Sequence, residues 1–198
     1  MNEVVINTRR LFLKGISPSM IHHIFETKTE DEIKIFFSVD ENGYQRFKEM
    51  HEKGMEAHRY SLFFFLLVET ETAQPIGECG FHTWNSTHKR AELYYLLRND
   101  SHKRKGFMTE ALSEVIRYGF ENMNLNRIQA LIADGNIPSK KLLQRNGFSF
   151  EGTMREDYVV DGKSEDSNCY SLLKHEWQAN TSNKRENYFR TRHFRMYK

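Results

Sequence analysis

From His102 to Gly106 the chain reads His-Lys-Arg-Lys-Gly, three consecutive cations followed by a residue with no side chain. Upstream, Ala91 to Leu97 is rich in aromatic and aliphatic residues and reads as a strand; downstream, an amphipathic helix opens near Gly106. A strand that feeds a helix through a basic turn is suited to hold an anion. The first helical N–H groups have no intrahelical acceptor, and the aligned peptide dipoles leave partial positive charge at that end. His102, Lys103, Arg104 and Lys105 strengthen that field, and Gly106, lacking a Cβ, lets a phosphate come close to the backbone.

Residues for most other chemistries are missing or badly spaced. Cys79 and Cys169 are the only cysteines and form no CxxC pair, so they read as structural thiols rather than as metal ligands or a disulfide framework. His22 and His23 are adjacent and so point to different sides of a helix, whereas a metal pair wants a spacing of about four. No metal is expected. The nucleotide-binding patterns GxxxxGK[ST] and GxGxxG are absent, as are the hydrolytic patterns HExxH and GxSxG.

The run Lys103-Arg104-Lys105-Gly106-Phe107-Met108 resembles the pyrophosphate loop of the GNAT acetyltransferases, Gln/Arg-x-x-Gly-x-Gly/Ala. Lys103 stands where Gln or Arg is usual and Met108 where a small residue is usual; neither change removes a backbone N–H. The following Thr109-Glu110-Ala111-Leu112 is similar to the ribosomal-protein N-terminal acetyltransferase branch. Further on, Asn136-x-x-Ser139, Asn146-Gly147-Phe148 and Glu151-Gly152 resemble the second signature of the same family, in the expected order. The likeness runs from about Thr8 to Trp177.

That resemblance implies an α/β GNAT fold, a mixed central sheet splayed between its fourth and fifth strands with helices on both faces. It implies acetyl transfer from acetyl-CoA to a primary amine by direct attack, the acceptor being a protein N-terminal α-amine such as that of a ribosomal protein. A small-molecule acetyltransferase acting on a polyamine, amino acid or antibiotic is the alternative, and a non-catalytic acyl-CoA-binding module is another. By the same resemblance the backbone of Lys103, Arg104, Lys105, Gly106, Phe107, Met108 and Thr109 holds the pyrophosphate, and Leu96, Leu97 and Arg98 pair with the pantetheine arm. Asn136 and Ser139 also contact that arm, although Asn136 has a second reading as the cap of its helix. Glu92 lies eleven residues before Lys103, the offset of the catalytic glutamate in the histone-acetyltransferase branch, and is the first candidate for general base. Glu78 in the neighbouring strand is the second; either also reads as a strand carboxylate held by Arg or Lys. The tyrosine that many members place seven residues after the signature Asn is here Leu143, which leaves Ser139 to serve the leaving thiolate, with Tyr158 unplaced.

The elements that position these residues follow from local signals. Val4 to Ile16 reads as an opening strand, and Ser17-Pro18 as the cap and first position of a helix. Thr29 to Glu32 resembles a capping box, and Asp40 to Arg59 is a longer amphipathic helix interrupted at Gly43 and Gly54. Ser61 to Thr70 is apolar throughout, as befits a strand covered on both faces; with Ile76 to Trp84 and Arg90 to Arg98 it makes an antiparallel meander. After the Gly106 helix, Asn126 to Ala133 is expected to join parallel to the strand that ends at Arg98. Asn136 to Arg145 is a helix stopped by Asn146-Gly147, and Phe148 to Val160 pairs with Ser164 to Trp177 through a tight Asp161-Gly162 turn.

At 198 residues, 38% hydrophobic and 28% charged, the composition is that of a globular domain, taken as residues 1–177 followed by a basic tail, 178–198. The tail holds six cations against one anion, so of the net +2 it carries +5 and the rest of the chain −3. A mildly acidic body does not suggest a nucleic-acid-binding domain, and no direct nucleic-acid partner is expected. The longest apolar run, Leu62 to Val68, is far short of the roughly 18 to 20 residues of a membrane span, and the first ten residues lack a signal-peptide layout. A cytoplasmic location is expected, and a homodimer by family habit.

Overall fold

The computed structural model describes residues 4–182, and the chain divides between Leu125 and Asn126 into two compact units. Most of the basic tail, with its aromatic residues from Tyr188 onward, lies outside the described residues.

In the first unit five strands pair in chain order, each antiparallel to the next: β1 (Val5–Asn7), β2 (Leu11–Ile16), β3 (Ser61–Glu69), β4 (Pro75–Asn85) and β5 (Arg90–Leu97). The expected single opening strand is a hairpin instead, with Val5 opposite Lys14. Thr8 turns it: its N–H donates to the Leu11 carbonyl at 2.9 Å and its Oγ1 accepts the Leu11 N–H at 3.0 Å. Such a turn needs no Gly or Pro, the usual punctuation of a hairpin.

Three helices, α1 (Pro18–Thr27), α2 (Glu30–Phe37) and α3 (Glu41–Lys53), lie on one face of this sheet. Ser17 and Thr29 cap the first two, and Thr29 with Glu32 forms the full capping box. The third runs through Gly43 without interruption, because Gly43 sits in the first turn and donates its N–H to the capping carboxylate of Asp40 at 2.9 Å. It ends at Gly54, where φ is +86°, rather than at Arg59.

β3 has to be apolar throughout because both of its faces are covered. Phe64, Leu66 and Val68 join Ile21, Ile33, Phe37 and Phe47 of the three helices, while Phe63 and Phe65 pack on Tyr118 of α4 (Phe107–Glu121). Each such fully buried side chain contributes about 1.5–3 kcal/mol. Gly80 brings β4 against β3: a Cβ there would lie 2.3 Å from Cα of Phe64. Cys79 is buried, and burial pushes its thiol well above the usual range, as suits a structural residue.

The second unit contains β6 (Arg127–Ala133), α5 (Ile137–Arg145), β7 (Ser149–Val160) and β8 (Lys163–Leu173), with β8 antiparallel to both other strands. Asp161 and Gly162 have φ of +50° and +76°, the paired left-handed residues of a two-residue hairpin turn. β8 ends at Leu173, short of Trp177: the Glu176 carboxylate accepts the Leu173 N–H at 2.9 Å, and residues 174–182 are helical. No helix among the described residues is long and apolar enough to cross a membrane.

Candidate functional site

The basic loop leaves β5 at Arg98, whose N–H donates to the Ile76 carbonyl at 3.0 Å. Because antiparallel pairing alternates, Leu96 also turns its backbone toward β4, while the backbone groups of Leu97 point to the other edge. Of the three residues expected to offer amides to a pantetheine arm, Leu97 is the one whose amide faces away from β4. A 3-10 turn, Asp100–His102, follows, with Asn99 capping Ser101 at 2.8 Å. Lys103 closes this turn through its own N–H to the Asp100 carbonyl at 3.0 Å, and its ammonium lies 2.6 Å from the Asp100 carboxylate. The stretch left to cradle an anion therefore begins at Arg104. Both partners of that ion pair are more than half exposed, so a competing phosphate displaces it at little cost.

Arg104 and Gly106 both take left-handed backbone conformations, with φ of +60° and +84°. For a non-glycine residue that costs about 1–2 kcal/mol. Gly106 starts α4 without any side-chain cap, and the first helical hydrogen bond runs from the Glu110 N–H to the Gly106 carbonyl at 3.1 Å. Phe107, Met108 and Thr109 therefore have amides with no acceptor within the helix, at the positive end of fifteen aligned peptides. Phe107 is buried, Met108 half-buried, and Lys105, Gly106 and Thr109 are exposed.

A brace absent from the sequence reading holds this loop. Glu110, in the first turn of α4, accepts from Thr8 Oγ1 at 2.6 Å, from the Arg10 N–H at 2.7 Å and from Arg10 Nε at 2.8 Å. Arg10 in turn donates through Nη1 to the Lys105 carbonyl at 2.9 Å and lies over the Phe107 ring, 4.4 Å from its centroid. Burial works to raise the Glu110 carboxyl, but the hydrogen bonds from Thr8 and Arg10 outweigh it and hold the group below the usual carboxylate range. The β1–β2 turn and the anion loop are thus tied together by one carboxylate.

On the face of the sheet under α1–α3, β4 and β5 present a row of polar groups. Glu92 stands opposite His82, its carboxylate 3.4 Å from His82 Nε2, and the His82 ring lies 5.6 Å from that of Tyr94. Burial and the nearby Glu78 charge push the Tyr94 phenol well above its usual value, so it stays neutral. Glu78, opposite Leu96, is 1% exposed and ion-paired to Arg46 at 2.7 Å and to Arg98 at 3.2 Å. Four residues of strand separate the two registers, about 13 Å, so Glu78 and Glu92 cannot serve the same proton. Glu78 is thus held between two arginines, whereas Glu92 lies against His82.

In the second unit Asn136 caps α5, its side-chain oxygen accepting the Ser139 N–H at 3.1 Å; this use leaves its NH2 group as a donor. Ser139 is half-buried, Leu143 is fully buried in the core, and Tyr158 is exposed on β7. Among the described residues no cluster of three or more His, Cys, Asp or Glu is disposed to hold a metal ion. Thr8, Arg10, Arg46 and His82 carried no local signal, since each acquires its role from a partner distant in sequence.

The family described as Acetyltransferase (GNAT) domain matches residues 10–149, from the Arg10 brace to the start of β7. An uncharacterised N-acetyltransferase, YoaA, of Bacillus subtilis (strain 168) is 29% identical over 178 residues, covering 86% of this chain and 97% of its own. The ribosomal-protein-serine acetyltransferase of Escherichia coli (strain K12) is 27% identical over 124 residues, 63% of this chain and 64% of that protein. Among solved structures, the spermidine N-acetyltransferase of Vibrio cholerae in complex with CoA and spermine superposes with a TM-score of 0.63 at 19% identity, over 85% of this chain and 98% of the other, a likeness of fold.

Proposed function

From a chain that belongs to the GNAT acetyltransferase family and is an N-acetyltransferase, we propose the reaction in finer terms: acetyl moves from acetyl-CoA to the N-terminal α-amine of a protein. The amides of Arg104 to Thr109 hold the diphosphate of the donor at the start of α4, and Leu97 offers to the pantetheine arm the backbone groups that face away from β4. The acceptor nitrogen attacks the thioester carbonyl and forms the C–N bond. Glu92, backed by His82, takes the proton that the nitrogen gives up. Collapse of the tetrahedral intermediate breaks the C–S bond, and the thiolate leaves to be protonated as coenzyme A. Ser139 is assigned to that thiolate on the family motif alone.

The uncapped, left-handed opening of α4 at Gly106 carries this reading, because helical N–H groups without side-chain caps and the positive end of the helix dipole meet there, as a diphosphate requires. An α-amine asks less of a carboxylate base than a lysine side chain does. Roughly a seventh of such amines, with pKa about 7.8, is neutral at pH 7, against under about 0.1% of lysine side chains. The ribosomal-protein-serine acetyltransferase among the relatives supports a protein acceptor, and the fold likeness to a spermidine acetyltransferase keeps a polyamine as the competing choice. Thiol release with N-terminal peptides beside spermidine and free amino acids decides between them. Peptide turnover is expected; turnover of the small amines with none of the peptides would overturn the acceptor assignment.

A further inference from the structure

The cluster built on Glu78 has one positive charge too many. Arg46 of α3 and Arg98 at the end of β5 share this one carboxylate, which is buried, so two guanidinium charges face one anion. Arg98 itself is largely buried, and its Nη1 has no hydrogen-bond partner among the described residues. Arg46 is half exposed and lies over the Phe47 ring, 4.7 Å from the centroid. Around them stand Leu96, opposite Glu78, and Tyr94, a neutral phenol, and among the described residues no second carboxylate is ion-paired with either arginine. A dry guanidinium with unused N–H donors is costly to leave in that state, and the planar fork of Arg is suited to a carboxylate.

We propose that Arg46 and Arg98 read a carboxylate on the second or third residue of the acceptor's N-terminal segment, making this an acetyltransferase for acidic N-termini. The inference rests on the peptide acceptor proposed above. It follows from the place of the cluster: the register of Glu78 lies about 13 Å along the sheet from Glu92, on the same face. In an extended peptide, rising about 3.4 Å per residue, the carboxylate of an acidic side chain at the second or third position lies about 7–10 Å from the α-amine, and a hydrogen bond of about 3 Å at each end spans the remainder. The carboxylate of a free amino acid sits beside its own amine and falls short. A polyamine brings cations to a site already in positive surplus.

The test compares kcat/KM for C-terminally amidated peptides that differ only in charge, Ser-Glu-Asp-Gly, Ser-Gln-Asn-Gly and Ser-Lys-Lys-Gly, with free serine and spermidine alongside. The acidic peptide should exceed the neutral one by about tenfold, the scale of one charge-assisted hydrogen bond, with the lysine peptide slowest. Arg46→Gln should bring the acidic-to-neutral ratio toward one, and Arg46→Lys should restore part of it; Glu78 keeps Arg98 as partner in both, and a melting curve confirms folding. Equal rates for the acidic and neutral peptides would overturn this inference and leave the peptide acceptor standing. So would a loss of coenzyme A affinity in Arg46→Gln at an unchanged peptide ratio, since the arginines would then serve the donor. Faster turnover of free serine than of any peptide would place the carboxylate beside the amine and overturn both.

Discussion

Replacing Glu110 by Gln removes the charge that ties the β1–β2 turn to the anion loop while keeping the side chain's size. The carboxylate is 17% exposed and takes three hydrogen bonds, two of them from Arg10. Hydrogen bonds to a charged group are worth about 1.5–3 kcal/mol each when intact; a carboxamide oxygen retains part of that, so a net loss of about 2 kcal/mol is expected. In a chain of this length about 2–4 °C follows from each kcal/mol, which puts the fall in melting temperature at about 4–8 °C. The strut from Arg10 Nη1 to the Lys105 carbonyl loosens with it, and coenzyme A should bind about fivefold more weakly, equivalent to roughly 1 kcal/mol. The pH dependence has a definite sign. The Glu110 carboxyl is held below its unfolded value, so its stabilisation is fully present above about pH 4.3 and is lost as pH falls toward the lower folded value. Melting curves of the two proteins should therefore run a constant distance apart near neutrality and converge in acid. Identical melting temperatures at pH 7, or a gap that persists undiminished in acid, would refute the brace.

Gly106→Ala forces a Cβ onto a backbone with φ of +84°, 3.4 Å from Arg10 Nη2, and should cost about 1–2 kcal/mol of stability and about tenfold in coenzyme A affinity by calorimetry. Glu92→Gln should lower kcat by about a hundredfold or more, with rate recovered as pH rises past the amine's own pKa of about 7.8; a parallel pH profile would remove Glu92 from the role of base. In the second unit, hydrogen bonds from Arg127 and then Ser171 hold the Glu151 carboxyl at about 2. Glu151→Gln should reduce stability by under about 1 kcal/mol at pH 7, since the group is exposed, and the difference should vanish between about pH 4.3 and pH 2 in a denaturant titration.

Features encoded by neighbouring residues were legible in the sequence. The caps at Ser17 and Thr29, the Asp161-Gly162 turn, the doubly covered β3 and the helix opening at Gly106 each declare themselves within a few residues. Features made by distant partners were not. The opening hairpin looks like one strand because its turn contains no Gly or Pro; Thr8 makes it, tied to a carboxylate 102 residues away. The use of the Lys103 N–H in a 3-10 turn, which takes that amide out of the set open to an anion, depends on the fold of Asn99 to His102. The ranking of Glu92 before Glu78 rests on family spacing alone; their different surroundings come from Arg46, 32 residues from Glu78, and from His82, across the strand from Glu92.

The claim on which the mechanism stands is that the backbone from Arg104 to Thr109 grips the diphosphate of coenzyme A. Following the backbone amide resonances of the whole chain by NMR while coenzyme A is added tests it directly. The largest shifts should fall on Arg104 to Thr109, dephospho-coenzyme A should reproduce them, and pantetheine, which lacks the diphosphate, should not. Saturable binding that leaves those six amides unmoved would contradict the account.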